Sequence, residues 1–256
     1  MKPLQPAVLA FGSAGVSAGG AAAMGLLSAP LATVLGGVAI AGVVGAVALA
    51  SARPDLGWFG DALCRARHPG RLALTIDDGP DPLSTPAILS ALESAGAHAT
   101  FFLLVDRAHR HPELARAIQE AGHEIGLHGP AHDARFTVLP AGLGSTQLRE
   151  AAQELTRVTG GLVRWFRPPF GAVSPRVYAS AERAGLPIAW CSVRTGDGGF
   201  VSPRVILARC REAVGTDIVL MHDGPGYART LLPEILADWD RRGITVSTLS
   251  AAMEPA

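Results

Sequence analysis

The sequence predicts an α/β protein: a distorted (β/α) barrel of about seven strands, preceded by an N-terminal transmembrane helical hairpin. Three observations carry this expectation. Residues 3–52 contain no Asp, Glu, Lys, Arg or His. Beyond residue 70, short apolar runs alternate with stretches of helical period, which points to a mostly parallel sheet. Residues able to do chemistry recur where those apolar runs end, and parallel barrels build their sites at the C-terminal ends of strands.

The uncharged stretch is too long for one span of roughly 20 residues, and it breaks at Ser28-Ala29-Pro30 into two. A signal peptide has a shorter apolar core, roughly 7–15 residues, before one cleavage site. A soluble helical hairpin would carry a polar face, and none is present. Small residues at close spacing (Gly15 and Gly19, Gly42 and Gly45) let two helix backbones approach within lipid. Residues 1–52 are therefore expected to be a membrane hairpin. Lys2 lies before it and Arg53, Arg65, Arg67 and Arg71 lie after it, while the turn between the spans is uncharged. Counting Lys and Arg alone leans the following domain toward the cytoplasm.

Residues 53–70 read as a polar connector, and 71–256 as the folded domain. Strands are expected at 72–76, 99–105, 124–127, 165–167, 188–192, 218–221 and 244–246. Helices are expected between them, at 86–95, 112–121, 146–159, 175–184, 203–213 and 229–242. A net charge of zero gives no electrostatic case for nucleic acid. Cys64, Cys191 and Cys210 form no close pair, so neither a disulfide framework nor a thiolate zinc site is expected.

Thr75-Ile76-Asp77-Asp78-Gly79-Pro80 closes the first strand with adjacent carboxylates. Taken alone it is equally good turn chemistry. His128 and His132 follow the third strand, with Gly129-Pro130 making the segment a loop. Two imidazoles and one carboxylate hold a divalent cation with positions left open, and the second carboxylate stays free to act as a base. Arg167 follows the fourth strand, Asp197 lies beyond the fifth, and His222-Asp223 ends the sixth. Segments far apart in sequence thus converge on one face.

From about Arg71 to Thr248 these segments resemble the polysaccharide deacetylase family, the NodB-homology or carbohydrate esterase 4 domain. Besides the two motifs quoted, Arg167-Pro168-Pro169-Phe170-Gly171 and Ile218-Val219-Leu220-Met221-His222-Asp223 match in family order. The resemblance implies Asp77 as general base and Asp78, His128 and His132 as ligands of a divalent metal, Zn²⁺ by donor type. It implies Arg167 as the residue orienting the base, and His222 as general acid tuned by Asp197. Pro168, Phe170 and Gly171 would line the substrate site, with a backbone N–H near Phe170 facing the oxyanion. The fourth motif departs from the family's Asp-x-x-Asp-Trp: Arg194 replaces the first aspartate and Gly198 the tryptophan. Stacking on a sugar face is weakened, and the added cation suits an anionic or phosphorylated substrate.

The expected function is removal of N-acetyl groups from amino sugars of a polysaccharide or glycoconjugate. Deacetylation or deformylation of a lipid-linked or phosphorylated sugar at the membrane is the alternative. A non-catalytic sugar-binding protein is a third reading, against which Asp77 and His222 count. His98, His109, His111 and His123 read as structural or solvated, Trp165 and Trp190 as core, and Asp81 and Asp223 as turn or supporting residues.

Overall fold

The computed structural model describes residues 29–199 and 201–255; the first expected span and Ser28 of the break between spans lie outside them. Helix α1 (Ala29–Ala52) covers the stretch where the second span was expected. Among the described residues it is the one helix long and apolar enough to cross a membrane, over Val34–Ser51. Its Val34, Val38, Ile40 and Val44 side chains are not covered by the rest of the protein.

Eight short strands follow: β1 (Ala62–Leu63), β2 (Arg71–Asp77), β3 (Thr100–Leu104), β4 (Glu124–Gly129), β5 (Ile188–Ala189), β6 (Val193–Arg194), β7 (Ile218–His222) and β8 (Thr245–Ser247). Every ladder between them is parallel. The main order is β4-β3-β2-β7-β6, with β8 pairing the start of β2. Parallel bridges from Leu127 to Phe166 and from Phe166 to Ile188 carry the ladder on to β5, which pairs β1. The run 188–194 is bent, so its first residues pair with Phe166 and β1 while its last pair with β7.

Alternation along β2 decides where chemistry can occur, because successive side chains point to opposite faces. Leu72, Leu74 and Ile76 join Phe101, Leu103 and Leu127 in the larger core beneath the helices. Ala73 lies with Phe102, Trp190 and Ile218 in a second cluster, and Thr75 and Asp77 share its side of the strand. The strand is thus apolar on one face and turns polar toward its end on the other.

The outer helices are α2 (Thr85–Ser94), α3 (Val105–Arg110), α4 (Pro112–Glu120), α5 (Ala141–Thr159), α6 (Pro175–Ala184), α7 (Pro203–Glu212), α8 (Ala228–Arg241) and α9 (Leu249–Met253). Local chemistry sets several ends. The Ser174 hydroxyl accepts from the Val177 N–H, ahead of Pro175 at the first helical position of α6, as N-capping requires. Gly160 ends α5 at φ 75°, a conformation glycine adopts at no steric cost.

Four expectations differ from the structure. The segment 165–167 supplies a bridge at Phe166 rather than a strand, since Pro168 and Pro169 lack the N–H that would extend the ladder. The run 188–192 is divided between β5 and β6. Helix α5 begins at Ala141 rather than at 146, despite Gly142 and Gly144; Gly144 lies so close to Ser180 that a Cβ would collide with its hydroxyl. Within 53–70, residues 62–63 form β1, and Ala66 is buried against β2-side residues of the second core cluster.

Candidate active site

The C-terminal ends of β2, β4, β6 and β7 open on one cleft of about 640 Å³, lined among others by Asp77, Asp78, His128, His132, Arg167 and His222. Asp77 is the last residue of β2, pairing with Phe102 on one side and His222 on the other. Its carboxylate is buried and accepts a 2.8 Å bond from Arg167 Nη1. Arg167 is itself buried and every part of its guanidinium is engaged. Nη1 also donates to Thr75 Oγ1, Nε to the Ala189 carbonyl and Nη2 to the Trp190 carbonyl, and the plane lies 4.3 Å from the Phe102 ring centroid. A cation fixed in this way holds its neighbouring carboxylate in one orientation.

Asp78 stands outside the strand, in the left-handed region at φ 72°, where only a small polar side chain is commonly tolerated. Arg107 Nη1 donates to its backbone carbonyl at 2.8 Å. The turn aims Asp78 Oδ1 at His128 Nε2, 3.3 Å away, and at His132 Nε2, 3.5 Å away. His128 Nδ1 lies 2.8 Å from the Arg167 carbonyl. Its proton therefore sits on Nδ1, leaving the Nε2 lone pair facing Asp78. Burial is the main influence on His132 and holds its pKa below the ordinary value, favouring the neutral imidazole.

Asp78 Oδ1 is buried and has no hydrogen-bond donor, and the three facing ligand atoms lie within 4.8 Å of one another. Lone pairs gathered around a buried, unsatisfied carboxylate oxygen need a positive charge between them. The donor set, two nitrogens and one oxygen, fits a divalent cation of the zinc type with open coordination positions. Asp78, His128 and His132, the ligand set that the family resemblance implies, lie together here.

Across the cleft, His222 Nδ1 lies 2.8 Å from Asp197 Oδ1, and its backbone N–H donates to Asp197 Oδ2 at 2.9 Å. Asp197 is fully buried and also receives the Thr195 hydroxyl. Burial alone lowers the His222 pKa; the Asp197 hydrogen bond and charge, with Asp77 and Asp78 behind them, more than offset it and raise the imidazole above its ordinary value. Phe170, at φ 58°, projects from the 168–171 turn with its ring 4.0 Å from that of His132.

Some roles differ from expectation. Trp190 is buried, but it is also a wall of the cleft, and the Arg194 guanidinium stacks 4.8 Å over its ring. Arg194 thus reaches the cleft rim by resting on an aromatic that the sequence placed in the core. Arg107 also lines the cleft, and Thr75 orients Arg167; neither was singled out, because only strand register brings them there. Asp81 receives the Leu83 and Ser84 N–H groups as a turn residue does. Asp223 is sealed by the Ser84 and Thr85 hydroxyls, and burial pushes its carboxyl up to about 6.

This constellation can be set beside known proteins. The family described as polysaccharide deacetylase matches residues 65–189. The chain is 34% identical over 201 residues to a chitooligosaccharide deacetylase of Azorhizobium caulinodans, covering 75% of this chain and 90% of that protein. The chain belongs to the polysaccharide deacetylase family. A peptidoglycan-N-acetylglucosamine deacetylase of Bacillus cereus is 32% identical, over 70% of this chain and 86% of its own. The PgdA deacetylase of Listeria monocytogenes is 35% identical over 62% of this chain, which spans only 34% of that longer protein. Among solved structures, a family 4 carbohydrate esterase of Streptomyces lividans in complex with acetate superposes with TM-score 0.64 at 28% identity, over 69% of this chain and 91% of its own. A family 4 pseudoenzyme of Bacillus anthracis superposes with TM-score 0.70 at 25% identity, over 76% and 69%. Family likeness therefore does not by itself carry activity, and the site residues have to.

Proposed function

We propose that this chain is a divalent-metal-dependent deacetylase that hydrolyses the N-acetyl group of an amino sugar in a glycan. The observation that carries the reading is that one cleft holds a carboxylate fixed by Arg167, a cation-ready Asp78–His128–His132 cluster, and an imidazole whose proton is supported by Asp197. A purely binding protein has no use for that combination of base and acid.

A cation held by Asp78, His128 and His132, zinc by donor type, supplies Lewis acidity and makes nearby water more acidic. Asp77, held in place by Arg167, takes the proton of the water that attacks the acetyl carbon. The 168–171 turn offers a backbone N–H near Phe170 to the developing oxyanion. His222, with Nδ1 engaged by Asp197, gives the Nε2 proton to the departing nitrogen as the carbon–nitrogen bond breaks. Water and amide are consumed; acetate and a free amine leave. Pro168, Gly171 and Arg194 complete the wall against which the sugar lies. Acetate release from chito-oligomers by the purified chain, lost on chelation and restored by Zn²⁺, is the test. A wild-type protein that neither binds a divalent ion nor releases acetate would sink the reading.

Residues 1–52 act in this proposal as a two-span membrane anchor to a barrel of residues 71–256. A second reading, a lipid-linked or phosphorylated sugar as substrate, is favoured by α1 and by the two cations at the cleft, Arg107 and Arg194.

A further inference from the structure

We infer that the protein has a second small-molecule site, behind the cleft, which takes a monocyclic phenol. A cavity of about 260 Å³ lies against the segment that joins His128 to His132. It shares no lining residue with the cleft. The cleft takes His128, His132, Arg167, Pro168 and Phe170 from two loops, and the cavity takes the residues between and beside them, 129–131, 166 and 169. The two hollows therefore lie on opposite sides of the same chain segments. Phe136, Leu139, Leu148 and Phe166 make the cavity walls apolar, and Gln147 of α5 is the one neutral polar side chain on them.

The walls and Gln147 together define what fits. The Phe136 and Phe166 rings meet edge to face, with centroids 5.6 Å apart and planes at 75°, a packing that a third ring extends. A cavity of about 150 Å³ is enough to hold benzene, so this one has room for a single ring with a short substituent. Gln147 Oε1 is buried and receives no hydrogen bond, and an acceptor left so costs about 1–3 kcal/mol. A lone water needs two to four polar partners, and the neighbouring acceptors are already engaged. The carbonyls of Pro130, Ala131, Phe136, Phe166 and Pro169 receive the N–H groups of Asp106, Asp133, Leu139, Ala189 and Ala172. Asp133 is occupied by Arg135, whose charge it balances. What remains is an apolar, ring-sized space with one acceptor to satisfy. A phenol supplies the ring and a single hydroxyl to donate to Gln147.

The test is methyl-resolved NMR of the full chain in micelles, titrated with phenol and with anisole, which has the ring and oxygen but no donor. Phenol should shift the Leu139 and Leu148 methyl resonances saturably. Gln147→Met keeps the side-chain length and removes the acceptor. It should weaken phenol about 3–10-fold, the size of one net hydrogen bond, and leave anisole within about twofold. Comparing variants within each ligand cancels uptake by the micelles. Leu139→Trp, which fills the cavity, should abolish both titrations while the buried Leu232 and Leu236 methyls keep their positions. Equal weakening of phenol and anisole by Gln147→Met overturns the site, as does survival of both titrations in Leu139→Trp. So do shifts confined to Leu220 in the cleft, or a wild-type spectrum that neither compound moves. None of these readouts depends on turnover, so the site and the deacetylase reading stand or fall separately.

Discussion

The two walls of the cleft are built to different standards. On the β2–β4 side, Asp77, Arg167 and His128 are buried and each is held by fixed partners across three segments of chain. On the β6–β7 side the Asp197–His222 pair is held as tightly. Around it, however, lie Gly196, Gly198, Gly224 and Gly226, and Arg194 is exposed and rests on Trp190. Groups that handle protons and the cation leave no room for drift. Groups proposed to meet the sugar, Arg194 and Gly198, differ from the family pattern while the Asp197–His222 pair keeps its contacts. Reaction and recognition are therefore separable in this fold.

The largest expected effect breaks the first wall. Asp77→Asn keeps the hydrogen bond to Arg167 and removes the base; acetate release should fall by about 10²–10⁴-fold, with circular dichroism unchanged. His222→Ala should fall similarly, since loss of either proton-transfer partner costs about the same. An intact rate in either variant would contradict the assignment. Next comes the cation cluster: Asp78→Ala should weaken zinc affinity by more than tenfold in calorimetric titration, while leaving the Arg167–Asp77 contact in place.

A subtler perturbation sharpens the contrast through pH. Asp197 raises His222 above its ordinary value of 6.5, and a general acid works only while protonated. The alkaline limb of kcat/KM should thus lie above pH 6.5, and Asp197→Asn should move it to lower pH. An unmoved limb would remove His222 as the acid. The smallest effect belongs to the altered wall. Gly198→Trp combined with Arg194→Asp, restoring the family pattern, should change KM for chito-oligomers by only a few-fold with kcat nearly constant. A large fall in kcat would show that the two walls are coupled after all.

Much of the site was readable from residue type and order. Asp77, Asp78, His128, His132, Arg167, Asp197 and His222 each follow an apolar run, and parallel strands bring such ends together. What stayed hidden depends on which face a side chain takes. Trp190 sits in an apolar run whether it points to the helices or into the cleft, and Arg107 looks like any helix-surface cation until β3 and β2 are in register. The strand at 165–167 fails for lack of donors at two prolines, a loss that apolar pattern does not register. Residues 62–63 join the sheet because a two-residue strand leaves almost no periodicity to read.

Gly171 carries a consequence for the evolution of this cleft. At φ 63° it lies against Trp190, and a Cβ there would collide with the indole and sit 2.8 Å from Arg194 Nη2. Any side chain at this position would displace the aromatic wall and its stacked cation together. A side chain at 171 therefore requires prior change at Trp190, and the left-handed backbone would still strain it. Mutational paths that try the opposite order should stall at their first step.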